Sequence, residues 1–250
     1  MKNQQKIKEY LDALVVRHNN PNFIQTDPIQ IPHRFTNEKD IEIAGFLTSI
    51  IAWGQRTTII TNADKLMRGM GCTPYDFIIN FRDNDLHSFA SFHHRTFNPS
   101  DCEYFMKALQ NIYRNHGGLR TVFRDAYTRT GSIREAIIEF RRIFFSLPHI
   151  SHAEKHISDI SKNSAGKRLN LFLMWMVRRD QCGVHFGCWT NIPPSSLFIP
   201  LDIHVGRNAR NIGLLKRKQN DWKAVEELTA KLREFDVRDP VRYDFALFAH

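Results

Sequence analysis

The chain has 250 residues, with 35 Lys and Arg against 26 Asp and Glu, 12 His, and a formal net charge of +9 with His neutral. Its 42% hydrophobic and 24% charged residues are ordinary for a globular protein and exclude an acidic or disordered tail. No apolar run approaches the ~18 residues of a membrane span, the longest being Leu171 to Val177, and Cys72, Cys102, Cys182 and Cys188 are too sparse for a disulfide framework.

The first amphipathic face is Ile7, Leu11, Leu14 and Val15; it carries Glu9 and Asp12 and is no secretory leader, so a cytoplasmic monomer without membrane contact is expected. Ile41, Ala44, Phe46, Leu47, Ile50 and Ile51 make a second, more deeply buried helix. Ile59, Ile60, Ala63, Leu66 and Met67 make a third. Further helix starts are marked by Thr73-Pro74, by Ser132 with Glu135 as a capping box, and by Asp239-Pro240. A helical segment ends near Ile160, Ser161 to Gly166 forms a turn, and an apolar helix follows from Lys167 to Arg179. The loop Gln181 to Leu201, with Gly183, Gly187, Pro193, Pro194 and Pro200, leads to a helix beginning near Ile203. With no alternating strand pattern, the expected fold is all-α, in two lobes.

The positive charge is unevenly spread. Ile160 to Arg179 holds Lys162, Lys167, Arg168, Arg178 and Arg179 with no acidic residue, and Ile203 to Asn220 holds Arg207, Arg210, Lys216, Arg217 and Lys218 with none. Outside these windows the chain is close to neutral. Such clustering is the footprint of a polyanion, because each phosphate contact releases counterions; it equally describes solvated helix faces. The prediction is that these ten residues share one face around a cleft.

Chemistry concentrates at the turn and at the later helix start. A tight turn into a helix exposes backbone N–H groups that suit a phosphate. Lys167 stands at that helix start, where the positive end of the dipole, together with Arg168 and Lys162, favours the neutral amine that attacks a carbon electrophile. Asp202 precedes the helix containing Ile203, Val205, Ala209 and Ile212. It reads as an N-cap, and an N-cap also keeps a carboxylate ionised where it can stabilise a developing cation.

The turn, Lys167-Arg168-Leu169-Asn170-Leu171-Phe172-Leu173, the Gly/Pro-containing loop, and Leu201-Asp202-Ile203-His204-Val205 with Arg207 together resemble the helix-hairpin-helix DNA glycosylases. A second region, Ser49-Ile50-Ile51-Ala52-Trp53-Gly54-Gln55-Arg56-Thr57-Thr58 followed by Asn62-Ala63-Asp64-Lys65-Leu66, is similar to that family's early helix junction. The resemblance covers about half of the chain. It implies Lys167 as nucleophile, Asp202 as essential carboxylate, and Gln55 as the side chain intruding into the duplex, with Arg56, Lys162, Gly166, Arg168, His204 and Arg207 as DNA contacts. The family's Leu-Pro-Gly-Val-Gly hairpin is absent, leaving Gly166 for turn flexibility. The 35-residue separation of Lys167 and Asp202 is similar to that of archaeal 8-oxoguanine glycosylases, and the chain resembles a bacterial branch placed beside them. The four-Cys loop of the endonuclease III branch is missing, so no iron–sulfur cluster is expected.

Cys182, His185 and Cys188 are spaced C-x2-H-x2-C, and His149, His152 and His156 lie close in sequence, but neither set supplies a four-ligand zinc site. No metal is assigned. Trp53, Phe172, Trp175, Trp189 and Trp222 are aromatics able to stack an extruded base, and Phe172, one turn beyond Lys167, is the stacking candidate. The combined expectation is a helix-hairpin-helix glycosylase-like fold: a lobe with Gln55 over roughly 36–150, a catalytic lobe over roughly 151–250 plus the N-terminal helix, and a cleft between them. The expected activity is removal of a damaged base from double-stranded DNA, with 8-oxoguanine suggested by the spacing resemblance, followed by strand cleavage. A monofunctional glycosylase, a non-catalytic DNA-binding module and an RNA-binding regulator are the open alternatives.

Overall fold

The computed structural model describes residues 2–249, whose regular structure is all helical, with no strand and two isolated bridges, His94 to Phe97 and Ser164 to Asp221. The α-helices are α1 Lys2–His18, α2 Asn22–Thr26, α3 Glu38–Ile50, α4 Arg56–Gly69, α5 Pro74–Asn80, α6 Pro99–Asn115, α7 Leu119–Thr130, α8 Ile133–Phe144, α9 Lys167–Val177, α10 Ile203–Asn211, α11 Trp222–Phe235 and α12 Asp244–Ala249. Among the described residues, no helix is long and apolar enough to cross a membrane. The chain divides into two compact units, one of Thr26–Ser158 and one of Met1–Gln25 with Asp159–His250.

In the first of these units α3 is the central helix, because it buries every residue from Ile41 to Ile50 and a helix apolar all round has to be enclosed. Asn37 caps it by accepting the Lys39 N–H at 2.9 Å, with Glu38 and Asp40 in the first turn facing the positive end of the dipole. Phe46 of α3 then meets Phe105 of α6 at 6.3 Å and Phe140 and Phe144 of α8 at 5.6 Å each. The Ser132 cap forms as expected, accepting the Glu135 N–H at 3.4 Å. Its capping box does not close, since the Glu135 carboxylate turns to Arg134 and the Ser132 N–H donates to Thr130 Oγ1.

The second unit is built from both ends of the chain. Helix α12 packs on α1 and α10, the Tyr243 hydroxyl donates to Asp12 at 2.9 Å, and Phe23 meets Phe245 edge-on at 5.0 Å. Helix α9 runs through this core with Phe172 to Val177 all buried. It ends at Val177, two residues before the expected Arg179. Arg178 leaves the helix in an extended conformation, which sends its guanidinium to Asp180 and Asp239. The segment before the turn also departs from expectation: it is two 3-10 turns, Ser151–His156 and Ile160–Lys162, with extended backbone at Ile157 and Asp159. Asp159 accepts from the Ser161 N–H at 2.9 Å and its hydroxyl at 2.6 Å, the kind of local bonding that competes with a helical ladder.

Candidate active site

The turn into α9 requires two left-handed residues, Asn163 at φ +68° and Gly166 at φ +59°. Asn tolerates that region. At Gly166 a Cβ would fall 2.7 Å from Cγ2 of buried Ile160, so both the backbone angle and the space demand glycine. The turn is clamped from two sides. Asn170 of α9 donates to the Ala165 carbonyl at 3.2 Å, while Asn163 donates to Asp221 Oδ2 at 2.9 Å and accepts the Trp222 N–H at 3.1 Å. No side chain caps α9, in contrast to α10 and α11, which begin at Asp202 and Asp221.

Asp202 uses its two carboxylate oxygens for different partners. Oδ1 accepts the Val205 N–H at 2.9 Å as the cap of α10, and Oδ2 lies 3.1 Å from Lys167 Nζ. Behind it, Asn220 donates to the Asp202 carbonyl at 3.0 Å and accepts from Arg210 at 2.6 Å. Gly206 permits this close pass, since a Cβ there would meet Asn220 Oδ1 at 2.5 Å. Burial pushes the Asp202 carboxyl up, but the Lys167 charge, the Val205 N–H and the His204 ring together outweigh it, and the group sits below the ordinary carboxylate range. Side-chain exposures of 31% for Lys167 and 16% for Asp202 leave the pair open to an incoming molecule. An amine beside an ionised carboxylate can act as a nucleophile, with the carboxylate as the base that takes its proton. The same contact also ties the start of α9 to the start of α10.

The other residues singled out from the sequence fall around this pair unevenly. His204 and Arg207 are exposed on α10, beside Ile203, an apolar side chain that is 76% exposed. Arg168 is half-buried, and that burial lowers its guanidinium to about 10, leaving it charged at neutral pH. Lys162 is exposed and faces Asp159 at 3.9 Å, not Asp202. Gln55 and Arg56, both exposed, lie in the other unit at the start of α4, where Gln55 holds the N-cap position without a side-chain capping bond.

Several expectations are overturned. Phe172 has no exposed surface and stands edge-on to Trp189 at 5.3 Å, so it presents no face to a base. Trp175, Trp189 and Trp222 are core residues as well; Trp53, half-buried with the Arg95 guanidinium 4.6 Å from its ring centroid, retains some surface. The ten basic residues do not all share a face. Arg178 is 2% exposed and is held by Asp180, Asp239 and His185. Cys182, His185 and Cys188, to which the sequence assigns no metal, are not grouped as ligands among the described residues. His185 Nδ1 instead accepts from Arg178 at 3.0 Å, its ring stacks on Phe245 at 5.3 Å, and the Cys188 thiol points to the Met176 carbonyl.

Lys216, Arg217 and Lys218 of the second basic window, with Gln219, Lys223 and Glu227, line a concavity of about 510 Å³. Arg217 forms a two-pronged ion pair with Asp221, the residue that holds Asn163 of the turn, so this basic surface is continuous with the support of the Lys167 helix. No curated protein and no solved structure matches the chain. Residues 27–250 match a family model, and the chain belongs to that family, described as Protein of unknown function (DUF2400).

Proposed function

We propose that this protein is a DNA base-excision glycosylase with strand-cleaving lyase activity, of the helix-hairpin-helix type that its motifs resemble. The observation that carries the reading is the 3.1 Å approach of Lys167 Nζ to Asp202 Oδ2, each group fixed at the first turn of a separate helix and both reachable by solvent. Asp202 takes a proton from the Lys167 ammonium, and the amine lone pair attacks C1′ of an extruded nucleotide as the C1′–N bond breaks. The base leaves with the bonding electrons and gains a proton. Opening of the sugar gives a Schiff base at C1′, loss of a C2′ proton expels the 3′ phosphate, and water releases the enzyme. Asp202 passes the lysine proton on to the departing base and, ionised again, offsets the positive charge that develops on the sugar.

The exposed cations Lys162, Arg207, Lys216 and Lys218 supply backbone-phosphate contacts, with the uncapped start of α9 as a further anion acceptor. Gln55 and Arg56 take the duplex contacts that the resemblance gives them. A monofunctional reading has one observation in its favour: the Asp202 carboxylate, held below the ordinary range, is itself reachable by solvent and so is placed to activate water. Duplex oligonucleotides with a panel of damaged bases, 8-oxoguanine included, separate these readings. Strand cleavage and a borohydride-trapped adduct support the lyase; base release with no adduct supports water attack. Absence of any base release across the panel refutes both. Gln55→Ala should lower excision while leaving the melting temperature unchanged, since Gln55 makes no capping bond.

A further inference from the structure

We propose that Asp101, His152 and His156 form a binding site for a divalent transition-metal ion, zinc in type. Nothing in this inference depends on the Lys167 and Asp202 chemistry. Asp101 lies in the first turn of α6 and closes a capping box there, its Oδ2 accepting the Asn98 N–H at 3.0 Å while Asn98 Oδ1 accepts its own N–H at 3.1 Å. The two imidazoles come from the 3-10 turn Ser151–His156, about fifty residues later. His152 Nδ1 lies 2.9 Å from both carboxylate oxygens and His156 Nε2 lies 3.1 Å from Oδ2. One ligand atom from each residue falls within 4.8 Å of the other two.

Two arguments favour a cation over hydrogen bonds alone. The first is charge: the Asp101 side chain is 3% exposed, and its ion-pair partners among the described residues are the two histidines, with no Lys or Arg. A buried carboxylate needs a countercharge, which a bound cation would supply. The second is geometry, because ligands at 2.0–2.1 Å around a tetrahedral ion are spaced about 3.3 Å apart; the two separations to the carboxylate, 2.9 and 3.1 Å, need only a small expansion, and the two imidazole nitrogens lie within 4.8 Å of each other. The ring planes are already held. His156 is 1% exposed and packs edge-on to Phe97 at 4.7 Å and Phe105 at 6.3 Å, and the Asn98 N–H orients the carboxylate. His152 is 33% exposed, which gives an entry route and leaves solvent in the fourth position.

Two imidazole nitrogens and one carboxylate suit zinc or its neighbours and not Mg²⁺ or Ca²⁺, which favour all-oxygen sets. Binding requires lone pairs on His152 Nδ1 and His156 Nε2, so the ion competes with protons there and affinity falls in acid. The bound ion would staple the 151–156 turn to the start of α6.

The test uses the full chain stripped with EDTA and titrated with Zn²⁺ against a chromogenic chelator, and with Co²⁺ by absorption. One Zn²⁺ per chain is expected, with cobalt bands of a nitrogen and oxygen set. Melting temperature should rise by roughly 5 °C or more at zinc about 100 times its Kd. His152→Gln and Asp101→Asn, the latter able to retain the cap, should each weaken binding at least tenfold; His149→Gln should not. No stoichiometric binding, unchanged affinity in His152→Gln, or near-ultraviolet cobalt–thiolate bands from the cysteines would overturn the site. The cobalt spectrum of the wild-type chain decides the ligand set even where a variant fails to fold.

Discussion

Gly166→Ala isolates the turn that presents Lys167. The residue sits at φ +59°, where an alanine costs about 1–2 kcal/mol relative to its preferred backbone. The new Cβ also falls 2.7 Å from Ile160 Cγ2 in a fully packed corner, adding an overpacking cost of about 1–3 kcal/mol. Restriction of the unfolded chain returns about 0.4–1 kcal/mol. The net loss is about 2–4 kcal/mol, or roughly 5–15 °C in melting temperature for a chain of this size. Gly213→Ala is the matched control in the same unit: Gly213 sits at φ +77°, and a Cβ added there would have nothing within 4 Å, so only the backbone cost remains, about 1 kcal/mol. Calorimetry and urea titration of both variants read the difference directly. Equal destabilisation of the two would refute the claim that the turn is packed tightly enough to fix the helix start.

Asp202→Asn should keep the fold near neutral pH, since Asn caps helices about as well as Asp, while base release falls on the order of 10²-fold in single-turnover assays. The lowered carboxyl of Asp202 contributes stability above its unfolded value near 4 and loses it as pH falls through the lower folded value, so the wild-type advantage in urea midpoint over Asp202→Asn should shrink progressively as pH falls below about 5. Arg178→Met should cost about 3 kcal/mol by leaving Asp180 and Asp239 without their cation, a loss measured by urea unfolding; a stable variant with weakened DNA binding would show that Arg178 faces the ligand. Cys102 is buried and desolvation pushes its thiol well up, so a disulfide reagent should modify exposed Cys72 rapidly in the native protein and Cys102 only on unfolding.

What the sequence discloses here follows the range of the signals. The Asp202 cap, the glycine turn and the central helix around Phe46 are local patterns, written within a few consecutive residues, and each is found in the structure. Arg178 and Phe172 mislead because exposure is a tertiary property. Among the partners of buried Arg178 is Asp239, 61 residues away, and the ring beside Phe172 belongs to Trp189, inside the long loop. The histidine grouping is visible at 149, 152 and 156, yet its third member in space is Asp101, not His149, which turns to Leu147 and Glu154. The i, i+4 spacing of His152 and His156 and the Asn98 to Asp101 capping pattern are the signals that point toward that site, but only the fold joins them.

The central claim is that Lys167, and no other amine, bonds to the sugar. Borohydride reduction of the protein with lesion-containing duplex DNA, followed by proteolysis and mass spectrometry of the adduct, assigns the modified residue. The expected result is a single sugar-bearing peptide modified at Lys167, lost in Lys167→Gln and retained in Lys162→Gln. An adduct on Lys162 or on the terminal amine, or base release with no adduct on any residue, would contradict it.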